Sequence, residues 1–103
     1  MSTRHPPARM KGLFWDTAPA RIDLRRDADF VLARVLEFGR MRDVKWLMRE
    51  YGLTAIHRFL AEAAHPELSP RTLSFWRAVL HAEGETWREA PAFRRNGSAY
   101  WAT

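Results

Sequence analysis

The chain has 103 residues, which allow one domain with one modest core, since a chain of this length buries only about 60 to 70 % of its unfolded surface. It has no cysteine, which excludes a disulfide framework and a thiolate metal site and fits a reducing cytoplasm. Its net charge of +5 lies on the ends, because residues 1–26 carry +4, residues 27–84 are neutral and residues 85–103 carry +1. This distribution favours solvated basic arms over a nucleic-acid-binding body, which would carry the positive charge itself.

The N-terminal 12 residues, MSTRHPPARMKG, are rich in Arg and Pro and predict a basic, flexible arm. They lack the apolar core of a secretory signal, and every apolar run in the chain is much shorter than a membrane span. We therefore expect a cytoplasmic protein with no membrane partner.

The stretch Leu13-Phe14-Trp15 places three large apolar side chains ahead of any periodic segment. Burying them would contribute several kcal/mol at about 25 cal/mol per Å², which is too much to leave in water. Two interpretations follow. The stretch folds back over the domain as an N-terminal lid, or it forms part of a surface for another protein.

From residue 27 to residue 80 the apolar residues recur with a helical period and predict an all-α, compact bundle of about four short helices. We place this helical domain at residues 13–84. Helix 1 is predicted at residues 27–38, with Asp27 and Asp29 in its first turn and Gly39 just past its end. Its apolar side chains cover more than one stripe, which indicates a central helix.

Helix 2 is predicted at residues 40–51, and Gly52 ends it. One face carries apolar side chains with helical spacing, namely Val44, Leu47, Met48 and Tyr51. The opposite face carries a row of basic side chains, Arg42, Lys45 and Arg49. This basic row is a candidate contact for a partner.

Helix 3 is predicted to start after an N-cap at Thr54 and to stop near residue 64, because Pro66 disfavours helix at the preceding residue. Helix 4 is predicted to begin with Ser69 as N-cap and Pro70 at the first helical position, and to be closed by Gly84. Its expected buried face consists of Thr72, Phe75, Trp76 and Val79, with Leu73 and Leu80 beside them.

Residues 85–103 predict an extended or mobile tail, since Pro91 and Asn96-Gly97 oppose helix. The tail nevertheless contains aromatic and basic side chains of the kinds that bind partners. Its candidate partner-binding residues are Phe93, Arg94, Arg95, Tyr100 and Trp101.

Catalytic patterns are missing from the sequence. No two of the four histidines have the i, i+4 spacing of metal ligands, and His57 is interpreted as a helix-surface residue. There is no G-x-S-x-G pattern, no P-loop and no cysteine nucleophile. The sequence therefore predicts a protein without enzymatic activity, metal, cofactor or small-molecule substrate.

Helices 3 and 4 together also resemble a helix-turn-helix, in which helix 4 would enter the major groove of DNA. The side chains that would read DNA are Arg71, Thr72, Ser74 and Arg77. The alternative is that Ser69 and Pro70 form an ordinary helix start with no role in DNA recognition.

Four segments in order resemble a family of small uncharacterised prokaryotic helical proteins: LFWD at 13–16, RVLEFG at 34–39, DVKWLMREYG at 43–52 and LSPRTLSFW at 68–76. The family pattern is L-F-W-D, V-L-x-x-G, D-x-x-W-L-x-x-x-Y-G and L-S-x-x-T-x-x-F-W, and it spans about residues 13–80. Such proteins are often encoded beside nucleotidyltransferase toxins of the AbiEii type. The resemblance implies an antitoxin-like role, while the first 12 residues and the tail lie outside it.

Three hypotheses follow. The first is an antitoxin-like module that neutralises a cognate nucleotidyltransferase toxin by direct binding. The second is a helix-turn-helix regulator that binds promoter DNA and regulates its own gene. The third is a structural or adaptor subunit without inhibitory activity.

Overall fold

The computed structural model describes residues 4–88, and this part of the chain is built from helices and turns. Two short 3₁₀ helices, Ala8–Leu13 and Pro19–Arg21, precede four α-helices. These are α1 (Ala28–Phe38), α2 (Met41–Tyr51), α3 (Leu53–Glu62) and α4 (Pro70–Val79). No strand occurs in residues 4–88, so the predicted all-α bundle of four short helices is confirmed.

Helix α1 lies at the centre of the bundle, as its broad apolar surface predicts. Six consecutive residues from Val31 to Leu36 are buried, and they include the charged Arg34. The helix ends before Gly39, where a Cβ atom would lie only 2.5 Å from the carbonyl oxygen of Val35. The chain can therefore turn this closely against α1 only at a glycine.

Helix α2 begins one residue later than predicted, and Asp43 holds its N-terminus by accepting the Arg40 backbone N–H at 2.9 Å. Leu47 on its apolar face is fully buried. The helix ends at Gly52, whose φ of 87° is readily adopted only by glycine.

Helix α3 follows Gly52 directly, and the prediction that Thr54 is its N-cap is wrong. Because the positive φ of Gly52 reverses the chain at once, Leu53 already occupies the first turn and Thr54 lies inside the helix. Helix α3 ends at Glu62, two residues before the predicted end.

Helix α4 starts as predicted, with Ser69 Oγ accepting the Thr72 N–H at 3.2 Å and Pro70 at the first position. It ends at Val79, however, and not at Gly84. Leu80 caps it, and the next residue, His81, has a φ of 54°, which breaks the helix.

The buried face of α4 also differs from the prediction. Trp76 is buried as expected, and Leu73 is buried beside it, whereas Phe75 and Val79 are exposed. Two apolar stripes run along this helix, and the packed one is Leu73, Trp76 and the half-buried Leu80. The other stripe remains available at the surface.

The N-terminal segment packs on the bundle from residue 4 onwards, so the predicted flexible arm up to residue 12 is not what the structure shows for residues 4–12. Met10 is buried in the core. Arg4 forms a 2.6 Å ion pair with Glu50, and its carbonyl accepts the Leu24 N–H at 3.0 Å. The apolar Met10 anchors a segment whose composition is otherwise basic.

The packed region also extends beyond the predicted boundary at residue 84. Trp87 is buried, and the Arg88 N–H donates to the Ala61 carbonyl at 2.8 Å. The beginning of the predicted tail is therefore part of the helical domain. Within residues 4–88, no helix has the length and apolar character needed to cross a membrane.

Candidate protein-binding surface

Large apolar side chains remain exposed around the junction of α1 and α2. Phe38 is 52 % exposed at the end of α1, and Met41 is 65 % exposed at the start of α2. Trp15 is 63 % exposed and packs edge-on against Phe38, with ring centroids 5.6 Å apart. Phe75 on α4 is 56 % exposed. Because contiguous apolar surface is typical of interaction sites, these residues form the candidate surface for binding a partner.

Met41 and Phe75 line a groove of about 400 Å³ that we call the α1–α2–α4 groove. Its floor contains the buried side chains of Leu36 and Trp76, and Phe75 packs edge-on against Trp76 at 5.7 Å. Gly39 and Val44 complete its apolar lining. A groove of this size can receive several apolar side chains of a ligand.

The rim of this groove is basic. Arg71 lines it, and Arg40 lies between the lining residues Gly39 and Met41. Both side chains are exposed, and neither forms an ion pair with another residue in the range 4–88. The groove therefore joins an apolar interior to a rim with available positive charge.

The carboxylates near the groove are already engaged. Glu37 lines it, but its Oε1 accepts the backbone N–H of Ser69 at 2.9 Å. Asp43 is buried and accepts from Arg9 Nη1 at 2.8 Å as well as from the Arg40 backbone. Within residues 4–88, neither carboxylate forms an ion pair with Arg40 or Arg71.

The Leu13-Phe14-Trp15 stretch fits both interpretations, the folded-back lid and the exposed surface for another protein. Phe14 is buried and packs against Phe30, with ring centroids 5.7 Å apart, which confirms the folded-back N-terminal segment. Trp15 remains at the surface, where the Arg34 guanidinium lies 4.0 Å from its ring centroid. The stretch is thus both a packed lid and a source of exposed aromatic surface.

Arg34 holds this lid in place. Its Nη1 and Nη2 donate to the two carboxylate oxygens of Asp16 at 3.1 and 3.0 Å, and Nη1 also donates to the Leu13 carbonyl at 3.2 Å. Its Nε donates to Glu67 at 2.6 Å. Because a buried guanidinium needs this full set of partners, the Asp of the LFWD segment has a clear structural role.

Sequence reasoning placed no role on Arg34, although a signal was present. The residue interrupts the apolar run of α1, and a charged residue inside such a run needs a partner. Its partner Asp16 lies 18 positions earlier in the chain, so local periodicity could not identify the pair.

The Arg34–Asp16 contact should make stability depend on pH in the acid range. The hydrogen bond from Arg34 lowers the pKa of Asp16 below its usual value of 3.8. Asp16 therefore binds protons more weakly in the folded chain than in the unfolded chain. The stability that ionised Asp16 contributes is fully present above its pKa in the unfolded chain, and it is lost as the pH falls through its pKa in the folded chain. As the pH falls from neutral through the lowered pKa of Asp16, Asp16→Asn should therefore lose less stability than the unchanged chain.

Urea denaturation at several pH values measures this difference. Asp29→Asn is the matched control, because Asp29 is exposed and makes no side-chain hydrogen bond within residues 4–88. Parallel pH profiles for the unchanged chain and Asp16→Asn would contradict the expectation.

The predicted basic row on α2 lies at the surface. Arg42, Lys45 and Arg49 are all exposed, and the closest carboxylate to the first of them is that of Asp43, 3.9 Å from Arg42 Nε. Met41 and Val44 of the same helix line the groove, whereas Arg42, Lys45 and Arg49 are not among its lining residues. The row and the groove therefore share helix α2.

The four predicted DNA-reading side chains have different surroundings. Arg71 and Ser74 are exposed on α4. Thr72 Oγ1 instead accepts the Ser69 hydroxyl at 3.1 Å, and the Arg77 guanidinium lies 5.0 Å from the Trp87 ring centroid. Thr72 and Arg77 are therefore engaged within the domain.

The predicted tail residues Phe93, Arg94, Arg95, Tyr100 and Trp101 lie outside the described residues. Among residues 4–88, no group of three or more His, Asp or Glu side chains could hold a metal ion.

A protein-family model described as a family of unknown function (DUF6922) matches residues 10–60, just under half of the chain. No curated protein and no solved structure matches the chain. The matched segment runs from the end of the N-terminal segment through α2 and most of α3. It includes the LFWD residues, Arg34 and Met41, whereas Arg71 and Phe75 lie beyond it.

Proposed function

We propose that the chain is a protein-binding module of the antitoxin kind, which neutralises a cognate nucleotidyltransferase toxin in the cytoplasm by direct binding. The observation that carries the protein-binding part is the exposed apolar surface formed by the α1–α2–α4 groove with Trp15 and Phe38 beside it. Removing such surface from water on binding is favourable, and the part of this gain that exceeds the entropic cost of association stabilises the complex. The toxin as partner comes from the family resemblance of the four sequence segments.

Neutralisation would occur by covering the substrate site of the toxin. Nucleotide-transferring sites hold Mg²⁺ through carboxylates and substrate phosphates, which makes their mouths acidic before substrate binds. The exposed row of Arg42, Lys45 and Arg49 has the charge to pair with such carboxylates. The apolar groove would supply the contact area, and the basic row would supply orientation.

DNA binding through α4 is the second candidate. The exposed positions of Arg71 and Ser74 near the start of that helix favour it. The internal contacts of Thr72 and Arg77 weigh against it, because those side chains would have to leave their partners to read bases.

The experiment that tests the first proposal is coexpression with a nucleotidyltransferase toxin of the AbiEii type from the same genome, followed by measurement of growth rescue and of binding by calorimetry. Phe75→Glu should weaken binding at least tenfold, about 1.4 kcal/mol, because it puts a charge into the apolar groove. Leu53→Glu is the matched control, since Leu53 is exposed on α3 and does not line the groove.

Absence of binding by the unchanged chain would refute the antitoxin proposal. A complex with DNA from upstream of its own gene that weakens steeply with salt and with Arg71→Ala would favour the second candidate instead.

A further inference from the structure

We propose that the α1–α2–α4 groove is a docking site for an acidic, amphipathic helix of a partner protein. This inference rests on the proposed protein-binding function and adds the place of contact and the chemistry of the partner segment. It draws on three features of the groove: its apolar lining, its basic rim and the engagement of its own carboxylates.

The interior selects for apolar side chains. Leu36 and Trp76 are the buried lining residues, and the exposed Met41 and Phe75 line the groove from different helices. Methionine adapts its shape to a ligand, and an exposed aromatic ring provides contact area at a low entropic cost. A groove bounded by helices and lined this way is suited to the apolar stripe of an incoming helix.

The rim selects for negative charge around that stripe. Arg71 lines the groove, and the exposed Arg40 and Lys45 are sequence neighbours of the lining residues Met41 and Val44. The local carboxylates of Glu37 and Asp43 already accept hydrogen bonds from Ser69 and Arg9. Acidic side chains that flank the apolar stripe of a partner could therefore pair with Arg40 and Arg71, which form no ion pair with another residue in the range 4–88.

The same charges disfavour two other occupants. A second copy in a symmetric contact would place Arg40 and Arg71 near their own equivalents, which is repulsive. The chain's own C-terminal segment offers Phe93, but Arg94 and Arg95 follow it directly and would face the basic rim. An acidic segment of a different protein avoids both conflicts.

The probes are two fluorescent synthetic helical peptides of about four turns with the same Leu and Phe stripe. One has Glu on the flanking positions, and the other has Lys. In fluorescence anisotropy with the full chain, the Glu peptide should bind at least about tenfold more tightly than the Lys peptide, and added salt should reduce that preference. Equal affinity, preference for the Lys peptide or absence of binding would overturn the proposal.

Substitutions at the groove test whether the peptides bind there. Arg40→Glu combined with Arg71→Glu should remove or reverse the preference for the Glu peptide, and Phe75→Ser should weaken the binding of that peptide at least about tenfold. The controls are Arg58→Glu and Leu53→Ser, whose side chains are exposed on α3 away from the groove. Equal effects of the control variants would overturn the proposal.

The two other candidate occupants of the groove, a second copy of the chain and its own C-terminal segment, predict different results in these experiments. A dimer in sedimentation that Phe75→Ser dissociates would identify a second copy as the occupant. A rise of at least about tenfold in Glu-peptide affinity on removal of residues 89–103 would identify the tail. Either result would overturn the assignment to a partner protein.

Failure of this proposal is distinguishable from failure of the proposed function. A toxin that binds the unchanged chain and the Phe75→Ser variant equally would leave the antitoxin function in place and refute the groove as its site. Tight, Phe75-dependent binding of the Glu peptide without any toxin binding would retain the groove and refute the antitoxin function.

Discussion

Replacing Trp76 with alanine should lower the free energy of unfolding by about 3 to 5 kcal/mol. Trp76 is 5 % exposed and belongs to the hydrophobic core, where it also forms part of the floor of the α1–α2–α4 groove. Its removal deletes a large apolar contact surface and leaves a space that the rigid neighbouring helices fill only partly. Chemical denaturation monitored by circular dichroism measures the loss.

Phe75→Ala is the internal control for that measurement. Phe75 precedes Trp76 on the same helix but is more than half exposed, so its removal should cost less than about 1 kcal/mol. Similar losses for the two variants would contradict the assignment of Trp76 to the core and of Phe75 to a binding surface.

The helix starts and turns could be predicted closely from the sequence because their signals are local. Gly39 ends α1 as expected, and α1 starts at Ala28, one residue after the predicted start. Ser69 with Pro70 starts α4 at the predicted position. Each of these signals acts through a backbone group within a few residues. Gly52 shows where such local signals are insufficient. Its positive φ both ends α2 and starts α3, so α3 begins before the predicted N-cap Thr54.

The two ends of the domain could not be placed from composition. Arg and Pro near the N-terminus predicted a flexible arm, yet Met10 is buried. Gly84 predicted the end of the packed region, yet Trp87 three residues later is buried too. In both segments one apolar side chain finds a site formed by distant parts of the chain, and no local pattern shows such a site.

The candidate surface was predictable only in part. Exposure of the basic row on α2 follows from the helical period that also places Leu47 in the core. The groove depends on which of two apolar stripes of α4 packs inward, and the sequence allows both. The structure buries Leu73 with Trp76, and this choice leaves Phe75 at the surface.

The second large effect concerns the C-terminal end of the packed region. A chain that ends at Arg88 should unfold with nearly the same free energy as the full chain, whereas one that ends at Gly84 should lose about 3 to 5 kcal/mol. The difference arises from Trp87, which is 4 % exposed, and from the Arg88 N–H that donates to the Ala61 carbonyl. Trp87→Ala in the full chain should reproduce most of the loss.

The contacts of Trp87 explain why this short segment matters. Its indole N–H donates to Glu85 Oε1 at 2.9 Å, and His57 Nε2 lies 2.7 Å from the same oxygen. The hydrogen bond from the Trp87 indole lowers the pKa of the Glu85 carboxyl most, and the contact with His57 lowers it further. The Glu85 carboxylate that accepts these contacts is therefore charged at neutral pH. The segment is thereby tied to α3 through His57 and to α4 through Arg77, which lies over the Trp87 ring.

Urea denaturation of the three chains and of Trp87→Ala separates the core from the tail. Equal stability of the chain ending at Gly84 and the full chain would show that Trp87 contributes nothing to the fold. A large loss already in the chain ending at Arg88 would instead show that residues 89–103 stabilise the domain, which contradicts their predicted role as a tail that serves partner binding.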